Sequence, residues 1–276
     1  MSSLRMRYTI TMVNVGNIVG MVPKRIRIIL ATMLMVFVLT LSSFFNFTTT
    51  WYIFIPILLC VSYLTTYLAI YEDIDGVEWY MLFIMPILLT LAFYLFYSLF
   101  PVRWLTRLPF IVLFALGYYA MLLTSNIFNV GVIKSIQLYR AAFSINYLTQ
   151  SLVIFMLILV SISFRFNFFI NAFLTGCIAF LLSLQGLWTV RLNVTLNTRV
   201  LMLSVLTAVL MIEVSLLLSF IPMHLNIATL TMTAFFYSMS GLLNNYLDDR
   251  LFNHVIREYV FVVVFVLIIA VLTIQW

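Results

Sequence analysis

The chain has 276 residues, of which 65% are apolar and 8% charged, with a formal net charge of +6. A water-soluble domain carries about 25% charged residues to cover its surface, so this composition excludes a soluble globule. A membrane β-barrel is excluded as well, because its spans read as ~10-residue alternating segments and the apolar runs here are continuous.

In chain order, residues 1–26 form a basic N-terminal segment. Its stretch YTITMVNVGNIVGMV, residues 8–22, is too short to cross a hydrocarbon core that needs ~20 residues of helix. Two readings stand for it. One is an interfacial or re-entrant segment; the other is a later start at Met21, from which MVPKRIRIILATML reads as an uncleaved anchor.

Residues 27–276 read as a single transmembrane domain. Apolar runs bounded by charge or proline predict spans over 27–47, 51–71, 80–100, 108–124, 142–164, 168–190, 200–221, 225–246 and 259–275. The fold class is therefore all-α, a polytopic transmembrane helix bundle of about nine spans. The longest polar connection predicted between spans is 125–140.

Orientation follows from lysine and arginine, which are retained on the cytoplasmic side. With the N-terminus inside, the inner segments hold Arg5, Arg7, Lys24, Arg25, Arg27, Lys134, Arg140, Arg191, Arg199, Arg250 and Arg257, and the outer ones only Arg103, Arg107 and Arg165. That bias predicts N-in and C-out. It also accounts for the positive charge without nucleic acid, since anionic headgroups favour cations on that face. The partners expected are the lipid bilayer and other membrane proteins, and the location expected is multi-pass in a cell membrane, the bacterial inner membrane.

Cys60 and Cys177 lie inside apolar runs, where cysteine behaves as a small hydrophobe. His224 and His254 fall at opposite sides of the predicted membrane, which removes a shared Ser-His or Cys-His site and a bis-histidine haem. No cofactor and no metal site is implied by this inventory.

Few residues are left that carry chemistry. Glu213 stands in the apolar run VLTAVLMIEVSLLLSF, 205–220, on a helix face with Leu206, Val209, Leu210, Leu216, Leu217 and Phe220, while Ser204 and Ser215 lie nearly opposite. An ionised carboxylate in hydrocarbon costs at least a few kcal/mol, so Glu213 is expected to be protonated or to meet partners from other helices. The candidates are Asn146 and Gln150, one turn apart, Gln185, and Arg140 at a helix end.

Two acidic stretches fall on the cytoplasmic side. YEDIDGVEWY carries Glu72, Asp73, Asp75 and Glu78, carboxylates that suit a hard divalent cation, but it reads first as a short acidic loop with an ordinary Asp-Gly turn that needs no metal. NNYLDDRLFNHVIREY, 244–259, carries Asp248, Asp249, His254 and Glu258; it reads first as an interfacial helix with Asp249 near Asn253 and His254 over Glu258, and second as a headgroup or phosphate site. On the outer side, FPVRWLTRLPF places Arg103 and Arg107 around Trp104, as an aromatic and basic belt does at a headgroup boundary.

Nine spans with two acidic cytoplasmic loops resemble the membrane prenyltransferases, but the aspartate spacing of that family is absent from Glu72-Asp73-Ile74-Asp75 and from Asp248-Asp249. The order EDIDGVEW, FPVRWLTRLPF, NIFNV, IQLYRAAF, QGLW and REY resembles instead a family of multi-pass bacterial membrane proteins of small-genome lineages, from about residue 30 onward. No activity is assigned to that family, so the resemblance implies no site residues. The function expected is a membrane subunit or scaffold, ahead of a membrane-embedded enzyme on a lipid-linked substrate and of an ion-coupled transporter using Glu213.

Overall fold

The computed structural model describes residues 23–45, 47–70, 80–100, 104–131, 138–192 and 197–274. Residues 1–22 of the N-terminal segment, the acidic stretch holding Glu72, Asp73, Asp75 and Glu78, and also Arg103 and Lys134, lie outside the described residues.

Among the described residues the chain forms α1 (Lys24–Ser42), α2 (Phe47–Ile70), α3 (Tyr80–Tyr97), α4 (Trp104–Gly131), α5 (Tyr139–Ser163), α6 (Phe168–Arg191), α7 (Thr198–Ser219), α8 (Leu225–Leu247) and α9 (Asn253–Leu272), with no strand. All but α8 are long and apolar enough to cross a membrane. The chain is a multi-pass membrane helix bundle, the only open architecture apart from a closed barrel that satisfies its backbone in lipid.

The helix α8 is too polar to pass the same criterion, yet it runs the height of the bundle. Its first turns meet the ends of α5 and α7 around Ser163, Leu218 and Ser219, and its last turn meets the starts of α5 and the end of α6 around Tyr139 and Val190. It packs against α5, α6, α7 and α9. Its threonines are tolerated because each hydroxyl bonds a carbonyl one turn back: Thr229 to Leu225 O at 2.9 Å, Thr231 to Ile227 O at 2.8 Å, Thr233 to Thr229 O at 2.9 Å.

Burial separates the helices. In α3 and α5, 61% of the span is buried, whereas in α7 it is 28% and in α9 11%, so α3 and α5 are the centre and α7 and α9 the rim. The centre touches α2, α4 and α6 directly. The rim helix α9 docks chiefly on α8 through Tyr259, whose ring stands 5.8 Å from Tyr237, itself 4.8 Å from Tyr147. Helices α6 and α7 share a long contact, where Gly176 presents no side chain: a Cβ there would stand 2.4 Å from Ile212 Cγ1.

Three boundaries differ from those the apolar runs predict. Helix α1 begins at Lys24, so Lys24 to Ile26 belong to the span rather than to the segment before it. Helix α4 spans 28 residues and absorbs 125–131, which the run pattern assigns to a connection. Two polar groups there are held by neighbours, Ser125 Oγ on Leu82 O at 3.3 Å and Asn129 Nδ2 on Ile70 O at 3.3 Å. Finally, 244–259 is not a separate interfacial helix: α8 continues to Leu247, a turn follows, and α9 starts at Asn253.

Candidate functional site

Polar groups collect in three places, two inside the span and one at its rim. The first joins α2, α3 and α4. Tyr118, fully buried, has its hydroxyl 2.6 Å from Thr65 Oγ1 and 3.3 Å from Ser62 Oγ, and Thr90 Oγ1 donates to Ser62 Oγ at 3.4 Å. Single hydroxyls scattered in apolar runs give no sequence signal for this hub, since only the packing brings them together.

The second place is the α5/α6 interface, and it holds three of the candidates. Asn146, Gln150 and Gln185 are all buried. Gln150 Nε2 donates to Gln185 Oε1 at 2.7 Å and to Leu182 O at 3.0 Å; Asn146 Nδ2 donates to the same Gln185 oxygen at 3.1 Å, and Gln185 Nε2 returns a bond to Asn146 Oδ1 at 3.2 Å. Asn146 and Gln150 stand about 10 and 16 Å along α5 at 1.5 Å per residue. The three amides satisfy one another, and none bonds Glu213.

Glu213 itself is exposed on the outward face of α7. The ridge Val205, Val209, Glu213, Leu217 faces out, while Ser204, Thr207, Met211 and Ser215 face in. Among the described residues Glu213 makes no hydrogen bond and no ion pair. It lies six residues, about 9 Å, before the C-terminal end of α7. Arg140, exposed at the opposite end of the bundle, is no partner for it.

The third place is the rim at the arginine-rich end. Arg191 closes α6, where Leu192 takes a left-handed φ of 39°. Its Nε donates to Leu247 O, the last carbonyl of α8, at 2.7 Å, and its Nη2 meets Asp249 Oδ2 at 2.7 Å. Asp249, also left-handed at φ 56°, and Asp248 thus both have arginine partners, the latter Arg250 at 3.2 Å. His254 does not stack on Glu258: its ring lies parallel to Phe252 at 5.6 Å, and Glu258 stays exposed on the first turns of α9. Among the described residues no three His, Cys, Asp or Glu side chains gather where they could hold a metal.

A cleft of about 480 Å³ opens on this rim between α5, α6 and α8. It is lined by Tyr139, Arg140, Phe143 and Ser144 of α5, Val190 of α6, Asn244 and Asn245 of α8, and Asp248 and Arg250 of the turn that follows. The Tyr139 hydroxyl donates to Thr189 O and Val190 O, which ties α5 to the end of α6. Asn244, Asn245, Tyr139 and Ser144 were not distinguishable in the sequence as site residues. The only signal for them is the four-residue step from Arg140 to Ser144 and the closeness of Asn244 and Asn245 to Asp248.

At the end of the bundle opposite Arg191, Arg107 is buried, unlike an interfacial belt residue. It donates from Nη2 to Ser43 O at 3.0 Å and from Nε to Tyr97 Oη at 3.2 Å, over the Phe44 ring at 4.3 Å. It therefore locks the ends of α1 and α3 to the start of α4.

No protein family, no curated protein and no solved structure matches this chain.

Proposed function

We propose that the protein is a non-enzymatic membrane subunit that binds a second membrane-spanning segment along the outward face of α7, with Glu213 as the anchor of that contact. The observation that carries this reading is Glu213, exposed among Val205, Val209 and Leu217 without a partner among the described residues. An acidic side chain in the membrane interior costs on the order of 3 kcal/mol when alone. A Lys or Arg at matching depth on a partner helix offsets that cost, and apolar ridges on either side supply the packing. With the arginine-rich end inside, a bacterial inner membrane is the proposed location.

The other two readings draw less support. An ion-coupled transporter asks for a carboxyl on a polar path, and the buried amides near the centre bond each other rather than Glu213. A lipid-modifying enzyme asks for free carboxylates gathered at one interface, and among the described residues there Asp248 and Asp249 are paired with arginine, which leaves Glu258.

The test uses the purified protein in phosphatidylcholine vesicles with a fluorescently labelled poly-leucine transmembrane peptide carrying one Lys at the depth of Glu213. Energy transfer should report association with the wild type and not with Glu213→Leu, and a peptide without Lys should associate with neither. Equal transfer in all combinations would end the subunit reading.

A further inference from the structure

The cleft on the arginine-rich rim has no role in the contact along α7. We propose that it binds the phosphodiester headgroup of an anionic phospholipid, taken from the leaflet at that end, between Arg140 of α5 and Arg250 of the turn after α8.

Charge sets the class of ligand. The guanidinium of Arg140 makes no hydrogen bond and no ion pair among the described residues. Arg250 is drawn beside α8 by its backbone, whose N–H donates to Asn245 O at 2.9 Å, and its guanidinium meets Asp248 at 3.2 Å. Two cations and one carboxylate leave one positive charge in the cleft. A phosphodiester, with one negative charge, neutralises it; a phosphomonoester, at about −1.5 to −2 near neutral pH, overshoots.

The direction of the walls sets the source. Arg140, Ser144, Leu148 and Leu152 follow one another at four-residue steps along a ridge that winds slowly round α5. Arg140 and Ser144 are exposed at the rim, and Leu148 and Leu152 continue outward into the apolar zone, 73% and 43% exposed. A ligand whose charged end sits on Arg140 and whose chains run past Leu148 and Leu152 matches this order. A free phosphate uses only its first position.

The α8 wall is polar: Asn244 is 7% exposed, and its Oδ1 has no donor among the described residues. Ser144 Oγ is already bonded to Arg140 O at 3.1 Å and Asn245 Nδ2 to Gly241 O at 2.8 Å, so these two shape the cleft rather than seek partners.

The experiment is native mass spectrometry of the full-length protein in mild detergent, with phosphatidylglycerol or phosphatidylcholine added, and with sodium phosphate as a soluble competitor. One phosphatidylglycerol should be retained at a concentration roughly tenfold below that needed for phosphatidylcholine. The preference should vanish in the Arg140→Ala, Arg250→Ala double variant, persist in Arg140→Lys, and survive millimolar phosphate. Ser144→Phe, which fills the cleft from an exposed position, should abolish it too and decides the matter if the double variant does not fold. Equal retention of both lipids by the wild type, or an undiminished preference in Ser144→Phe, overturns the proposal. Displacement by sodium phosphate would overturn the lipid assignment in favour of a soluble-anion site.

Discussion

The carboxamide of Gln150 occupies the space that a side chain at Gly186 would need: a Cβ there would stand 2.6 Å from Gln150 Nε2 and 2.8 Å from its Oε1. The α5/α6 interface thus depends on a missing methyl on one helix to admit an amide from the other. Gly186→Ala should destabilise the bundle by about 1–3 kcal/mol through overpacking. Gln150→Ala in the same chain should recover part of the loss, because the clash goes with the amide. Thermal unfolding of the four members of this double-mutant cycle in detergent measures the coupling, and additive losses would contradict the geometry.

Arg107 should be sensitive even to a charge-conserving change. Its fork serves Ser43 O and Tyr97 Oη at once while its plane covers Phe44. An ammonium cannot reproduce that set. Arg107→Lys should therefore lose about 1.5–3 kcal/mol, the worth of charge-assisted bonds in a buried place. A thermal midpoint equal to that of the wild type would show that the belt, not the fork, is what Arg107 supplies.

The Tyr118 hub should cost less to break than its burial implies. Thr65 Oγ1 keeps bonds to Val61 O at 2.8 Å and Ser62 O at 3.1 Å when the phenol oxygen is gone. Tyr118→Phe should thus destabilise by only ~0.6–1.7 kcal/mol, the range of interhelical hydrogen bonds in membranes. Denaturant titration of the folded protein in mixed micelles reads this difference.

Two left-handed residues invite opposite outcomes. Arg165, at φ 53° after α5, is exposed, and Arg165→Gly should raise stability by about 0.5–1 kcal/mol by removing the strain of a Cβ. Asp249 at φ 56° is strained alike but pairs with Arg191 in an ion pair whose side chains are 49% and 84% exposed. Such a pair contributes at most ~1 kcal/mol. Asp249→Asn, which keeps the tolerance for this φ, should be nearly neutral, whereas Asp249→Ala should cost about 1 kcal/mol. Unfolding midpoints that rank Asn below Ala would refute this assignment.

The threading can be checked at the polar helix. His224 and Asp249 are exposed at opposite ends of α8. In a background with Cys60 and Cys177 replaced by serine, His224→Cys should react with an impermeant maleimide in intact cells, and Asp249→Cys only in inverted vesicles. Labelling of both from one side would mean that α8 does not cross.

Composition and hydropathy by themselves determined the class of this protein and the existence of its helices, because ~20 apolar residues in lipid have no choice but to close their own hydrogen bonds. They also offered Asn146, Gln150 and Gln185 as inward-capable partners for Glu213, whereas in the bundle these amides bond one another. What they left open was which outward or inward direction each remaining polar face takes. Periodicity gives Glu213 a face with Val209 and Leu217 but does not say what lies across from that face, and in lipid an apolar ridge suits the bundle interior and the rim equally. Only the packing, with Gly176 drawing α6 onto the other side of α7, turns Glu213 outward. Tertiary structure likewise decided that Arg107 is buried, that 125–131 is helix and that Arg140 shares a cleft with Arg250 and Asn244, because each depends on contacts between segments far apart in the chain, to which local spacing is blind.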